Sequence, residues 1–476
     1  MPNERLSKSD CKKLAKDLLR TGKPVWESLG PKEREECASY ADACRAFLSE
    51  AKTEREAVSI IEEIAEKAGF VRSGESSGRT RPEIRTFRGK LAALVRPGRK
   101  PLSNGLRIIA SHIDAPRLDL KQNPLYEDFS LAYLKTHYYG GIKKYHWLSR
   151  PLALHGVVLT EGGEKVSICF GEDPSDPVLV INDLLPHLAH KVQGEKKLSD
   201  AFPAEKLNVL AGGLPLLGPE DLKEAVKLGI LRLLRDRYGI VEEDLVSAEI
   251  EIVPAGSARD VGFDRAFLGA YGHDDRTCAF ASLRAILDIK DPPLTAVALF
   301  LDKEEIGSDG NTGAKSRFLE HLIYELMKGE GRPADPHALL SILFASKAIS
   351  ADVTAGIDPD YLDVHEIRND ARMGYGICLT KYTGSRGKAA ANDAHAEYMG
   401  WIRRIWNRAG VVWQAGELGK VDEGGGGTVA KYLAYHGLDI VDAGPPLLGM
   451  HSPFEIAHKA DLYMTYRAYA SFYSAD

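Results

Sequence analysis

Four short apolar runs of the chain end in an acid or a histidine. LRIIASHID carries His112 and Asp114, LTAVALFLDKEEIGS carries Glu304 and Glu305, SADV carries Asp352, and DAGPPLLGMHS carries His451. A fifth segment, GHDDRTCAF, sets Asp274 and Asp275 just before an apolar, helix-like stretch. Side chains alternate along a strand, so His112 and Asp114 share one side, and Asp114 can hold the imidazole in the tautomer a metal needs. A strand-end histidine bonded to its neighbour without any metal has the same pattern. Glu304 and Glu305 diverge, so one can bind metal while the other accepts a proton, although two acids after a strand also suit a solvated turn. One of Asp274 and Asp275 could merely cap the helix. Asp352 could end a strand innocently and His451 could belong to an ordinary loop.

Taken together the segments say more. If Asp274, Glu304, Glu305 and Asp352 converge, the carboxylates repel, and removing them from water uncompensated is costly. Cations are then required. Two divalent ions set against Asp274, Glu305 and Asp352 leave a small positive excess that can acidify a water towards neutral pH, with Glu304 free to take the proton. Mixed histidine and carboxylate ligands suit zinc, and also cobalt or manganese, better than calcium or a thiolate site.

Such a convergence needs a scaffold that gathers strand ends. The runs around 106–111 and 294–301, and those at 347–351 and 438–441, read as buried strands alternating with helices, which implies an α/β layered domain with a largely parallel sheet. In such sheets ligands bind outside the carboxyl ends of the strands. Between about 120 and 264 the texture changes to short β-like runs (GVVLT, KVSICF, VLVIN, AEIEIV) with one helix-like stretch over 219–238, which reads as an inserted, mainly β domain. Residues 1–70 read as packed helices, with Leu14, Leu18 and Leu19, then Ile60, Ile61 and Ile64, near helical spacing. The Gly-, Ser- and Arg-rich stretch 72–100 reads as a solvated loop leading into a strand.

Composition bounds the rest. With 476 residues, 44% hydrophobic and 27% charged, the chain is of ordinary globular composition, and its net charge of −6 argues against nucleic acid or an anionic membrane as partner. Its six cysteines form no CxxC pair, which suits a reducing compartment. The N-terminal residues lack a signal-peptide pattern and no apolar run approaches a membrane span, so a cytoplasmic protein is expected. GELGKVDEGGGGTVA lacks the GxxxxGK[ST] pattern of a nucleotide loop.

SHIDAPRLDLKQNP, GHDD, DKEEIGS, SADV and GMHSPFE, in this order and with a long insertion after the first, resemble the zinc aminopeptidases of the aspartyl aminopeptidase and aminopeptidase I family. The resemblance implies that His112 and Asp352 hold one metal, Glu305 and His451 the other, that Asp274 bridges them and that Glu304 is the general base. It implies a three-layer α/β/α zinc-exopeptidase-like catalytic domain, residues 1–119 and 265–476, interrupted by a β-rich dimerisation domain, residues 120–264. A tetrahedral dodecamer built from dimers is implied too, acting on peptide substrates. His187, in PHLAH, matches a histidine that reaches a neighbouring subunit's site, and Lys381 matches a lysine that contacts substrate.

Two departures stand out. Aspartyl aminopeptidases have a substrate-contacting histidine three residues after the SAD aspartate, where this chain has Ala355; that argues against a preference for acidic residues, whereas Lys381 with Arg386 and Lys388 argues for one. His273 stands beside Asp274 where an apolar residue is expected. The expected reaction is hydrolysis of the first peptide bond of a short peptide by a metal-bridging hydroxide, with Glu304 as base. The alternatives are a dinuclear carboxypeptidase or amidohydrolase, and a catalytically silent assembly protein.

Overall fold

The structure is a computed structural model that describes residues 6–20, 22–73, 81–219, 222–333 and 335–476. Its centre is a nine-stranded sheet in the order Val71–Arg72, Glu83–Phe87, Leu91–Arg96, Thr295–Leu301, Leu106–His112, Lys347–Ser350, Asp439–Gly444, Ile377–Thr380, Trp413–Ala415. The four strands from Thr295–Leu301 to Asp439–Gly444 are mutually parallel, so their carboxyl ends share one rim. LRIIASH and TAVALFL are buried at every residue, as continuous apolar runs between two helix layers must be. Alternation sends Ala296, Ala298 and Phe300 to a core shared with helices Pro31–Glu50, Glu54–Lys67, His273–Asp288 and Lys459–Tyr473. Val297, Leu299 and Leu301 enter the opposite core, against helices Phe318–Gly329 and Pro336–Ala345. The nine-stranded unit is thus an α/β/α sandwich.

A second, antiparallel sheet of seven strands draws on Arg117–Asp128, Leu131–Tyr139, Leu152–Leu159, Lys165–Phe170, Val180–Ile181, Val209–Gly212 and Glu249–Pro254, and closes a core of its own. The strand Arg117–Asp128 runs through the 119/120 position. A third sheet, absent from the sequence reading, orders Arg259–Val261, Phe267–Ala270, Glu455–His458, Pro446–Leu448 and Thr354–Ala355. Its strands are two to four residues long, below what periodicity can register.

Three local expectations change. The first helix, Lys8–Leu18, forms as its spacing predicts but buries no residue, and Leu14, Leu18 and Leu19 are exposed. Periodicity locates an apolar face without saying whether this chain covers it. The helix read over 219–238 begins at Ala225. The 72–100 stretch, read as a solvated loop, instead contains two paired strands of the central sheet, Glu83–Phe87 and Leu91–Arg96, with Leu91–Val95 buried, whereas 74–80 lie outside the described residues. All six cysteines are free, four of them buried. Among the described residues no helix is long and apolar enough to cross a membrane.

Candidate metal centre

The rim gathers the expected residues. Leu106–His112 ends on His112, and Thr295–Leu301 leads through Asp302 into the turn Glu304–Ile306. Lys347–Ser350 stops two residues before Asp352, and Asp439–Gly444 leads through Pro446–Leu448 to His451. Gly444 permits this crowding, since a Cβ there would lie 2.1 Å from the carbonyl oxygen of Asp352. Asp274 and Asp275 open the helix His273–Asp288 with non-helical backbone and neither caps it, so the capping alternative is not realised.

Asp274 occupies the middle. Its Oδ1 lies 3.1 Å from His112 Nε2 and its Oδ2 3.2 Å from His451 Nε2, while Glu305 Oε1 is 3.5 Å from His451 Nε2. His112, Asp274 and Asp352 form one group, and Asp274, Glu305 and His451 another, each with ligand atoms within 4.8 Å of one another. Neighbouring ligand atoms on a tetrahedral zinc with bonds of about 2.0–2.1 Å sit roughly 3.3 Å apart, so these separations fit ions shared through Asp274. The other ring nitrogens are engaged. His451 Nδ1 donates to the Gly141 carbonyl at 2.8 Å, and His112 Nδ1 lies 3.1 Å from the Asp114 carbonyl and 3.3 Å from its Oδ1. Both imidazoles are therefore fixed in the tautomer that offers Nε2 to a metal.

The electrostatics point the same way. Burial pushes the carboxyls of Glu305 and Asp352 well above the usual range, reinforced by neighbouring acids, and raises Glu304 to about 7. Burial alone would lower His451, but Asp274 and Glu305 outweigh it and hold the ring up to about 10. Asp274 is held low because hydrogen bonds from the two histidines outweigh its burial. Glu305 Oε1 is buried without a hydrogen bond. Acids in such excess, with imidazoles as their only basic partners among the described residues, are a donor set suited to divalent cations.

Asp114 lies against the His112 ring, but not through strand alternation. The strand ends at His112, so strand alternation does not apply to Asp114. It lies beyond the end, where its carboxylate also accepts the backbone N–H groups of Glu304 and Glu305, each at 3.2 Å. His273 stands outside the cluster: Nδ1 pairs with the Thr277 hydroxyl at 2.6 Å, Nε2 with the Leu268 carbonyl at 3.0 Å, and burial lowers it to about 4. Lys381 is not gathered in either. Its preceding strand Ile377–Thr380 runs antiparallel to Asp439–Gly444, which carries it away from the rim, and it pairs with Asp393 alongside Lys388. His187 lies exposed on the short helix Pro186–Ala189 of the seven-stranded unit.

Several contributors escaped the sequence reading. Glu455 accepts the Asp274 N–H at 3.1 Å and the His451 N–H at 2.7 Å, clamping two candidate ligands at once; its place in GMHSPFE is the one hint. Asp275, set beside Asp274 in the sequence with capping as its bland role, accepts the His112 N–H at 3.3 Å. Three consecutive residues of the seven-stranded unit, Tyr139, Gly140 and Gly141, also touch the cluster. Gly140, at φ +72°, leaves room for Glu305, which a Cβ would meet at 3.2 Å.

The chain is similar to known proteins over most of its length. Residues 47–473 match the family described as aminopeptidase I zinc metalloprotease (M18). The chain is 49% identical over 451 residues to the probable M18 family aminopeptidase 1 of Thermotoga maritima, covering 94% of this chain and 98% of that one. It is similar to the crystal structure of an M18-family aminopeptidase from Thermotoga maritima, with TM-score 0.92, 48% identity and coverage of 96% and 100%. Aminopeptidase I from Clostridium acetobutylicum gives TM-score 0.90, 43% identity and coverage of 96% and 100%. The mApe1 dodecamer of S. cerevisiae, at 21% identity, coverage of 91% and 95% and TM-score 0.73, shares the fold.

Proposed function

The chain belongs to the aminopeptidase I zinc metalloprotease family (M18), and on that premise we propose that it is a dinuclear aminopeptidase that removes the first residue of short peptides. The observation that carries this reading is the pair of histidine–carboxylate groups sharing Asp274. His112 and Asp352 would hold one ion, Glu305 and His451 the other, and Asp274 both. When bound, such ions, zinc in this family, supply Lewis acidity for the scissile carbonyl and make water more acidic.

Glu304 takes the proton from the attacking water and returns it to the leaving amine. Asp114 holds the Glu304–Glu305 backbone and the His112 ring, while Glu455 fixes the backbones of Asp274 and His451. For His187 and Lys381 the assignment to substrate rests on family likeness. Ala355 offers an acidic side chain no hydrogen bond, so neutral N-terminal residues are the expected substrates. We assign oligomerisation to residues 120–264, where Leu185, Leu188, Leu198, Leu214 and Leu217 are all exposed, and a tetrahedral dodecamer by likeness to the yeast assembly. Buried free cysteines suit a reducing, cytoplasmic setting.

Glu304→Gln keeps the shape and should retain metal while losing about 10²–10⁴-fold in kcat. Near-wild-type turnover in that variant would refute the base. A peptide with a free amino group should be cut and its N-acetylated form refused; cleavage of both would point to another class of hydrolase.

A further inference from the structure

The inserted sheet meets the metal centre through three consecutive residues. Tyr139 ends the strand Leu131–Tyr139 and donates its hydroxyl to Asp114 Oδ2 at 2.8 Å, the shortest contact that carboxylate makes. Asp114 is fully buried, and its other partners are the backbones of Glu304 and Glu305 and the His112 ring. Gly140 packs on Glu305 and Gly141 accepts from His451. The Tyr139 ring is itself immobilised: Arg117, its partner in the strand register, lies with its guanidinium 3.9 Å from the ring centroid and is tied to Asp119 at 2.8 Å and Glu251 at 3.1 Å.

We propose that Tyr139 is a positioning residue of the reaction: from the inserted sheet it fixes Asp114, and through it the His112 imidazole and the Glu304–Glu305 turn. This rests on the metal-centre reading above. Asp114 joins a candidate ligand to the candidate base, so a rotation of its carboxylate displaces both together. Among the described residues the hydroxyl is the one donor to Asp114 that comes from outside the nine-stranded unit. The insertion is therefore part of the site, and what disturbs its junction with the sandwich reaches the base.

The test is Tyr139→Phe in the full-length chain, which keeps the ring beneath Arg117 and removes the hydroxyl. Three quantities are read: zinc affinity by chelator competition on metal-stripped protein, kcat and KM separately, and the melting temperature. Loss of a partner that orients a ligand typically weakens metal binding or activity about 10–100-fold. We expect falls of that size in zinc affinity and kcat, with KM and the melting temperature of the metal-free protein unchanged. Wild-type zinc affinity and kcat in the variant would overturn the inference, as would a lowered melting temperature with zinc affinity intact. A wild-type protein that turns over without metal would instead overturn the underlying reading, whatever Tyr139→Phe does.

Discussion

The molecule buries two clusters of acids, and they are built on opposite plans. At the junction of the sandwich and the inserted sheet, Glu54 and Glu251 are buried beside Lys90 and Arg117, with Lys90 at 2.7 Å from Glu54 and Arg117 at 3.1 Å from Glu251. Asp119 and Glu249 complete that set with Arg55. At the rim, Asp274, Glu305 and Asp352 have no lysine or arginine ion pair among the described residues; their basic neighbours are His112 and His451. Arg117 and Lys90 overcome the burial of Glu54 and hold it low, although burial and the neighbouring Glu54 still raise Glu251; among the described residues no lysine or arginine offsets the burial of Glu305 and Asp352, which are raised as well. Acids supplied with their own cations make a joint. Acids denied them mark the place where positive charge comes from outside the chain.

Metal removal should separate the two clusters most sharply. Stripping the protein with a chelator is expected to abolish peptide hydrolysis and lower the melting temperature, and zinc should restore both. Saturation at 1,000 times Kd adds about 4 kcal/mol to stability by mass action. Asp274→Asn should block that recovery at both ions, because both groups share that one carboxylate. A chelated protein that keeps its turnover would erase the distinction.

The joint should fail in the other way. Arg117→Met leaves Glu54 and Glu251 buried without their main partner, and breaking a buried pair from one side costs about 3–5 kcal/mol. Denaturant unfolding at saturating zinc isolates this loss from the metal. Wild-type stability in that variant would mean that the junction acids need their cations no more than the rim acids do.

How much of this was legible before folding depends on how far each signal travels along the chain. The sandwich was readable because LRIIASH and TAVALFL are mostly apolar runs, and His112, Glu304, Glu305 and Asp352 stand at or just beyond strand ends, where short motifs suffice. Glu455 was not, because a glutamate opening a four-residue strand has no local mark of burial. Gly140 and Gly141 reach residues more than a hundred positions away, and Tyr139 reaches Asp114 across 25, through a fold that no period records. The first helix shows the converse, a clear period with nothing in this chain to cover it. His273 seemed chemical by adjacency alone, and its two ring nitrogens are spent on Thr277 and Leu268.

A third buried charge group falls between the two plans, because its cation can be switched off. His155, in the strand Leu152–Leu159, lies 2.7 Å from Glu56 Oε1 through Nδ1 and 3.2 Å from Glu172 Oε1 through Nε2, with Lys52 3.6 Å from the same Glu172 oxygen. Burial alone would lower the ring, but Glu172 and Glu56 outweigh it and raise the pKa. A group raised on folding stabilises the native state fully below its unfolded value, about 6.5 for histidine, and that contribution is lost as pH rises through the folded value. His155→Gln should therefore cost most in melting temperature below pH about 6.5 and progressively less on the alkaline side. The measurement is the wild-type minus variant difference across that range in zinc-saturated protein. A difference that stays flat would class His155 with the permanently charged joint; one that shrinks with pH makes this contact the weaker, titratable part of the same seam.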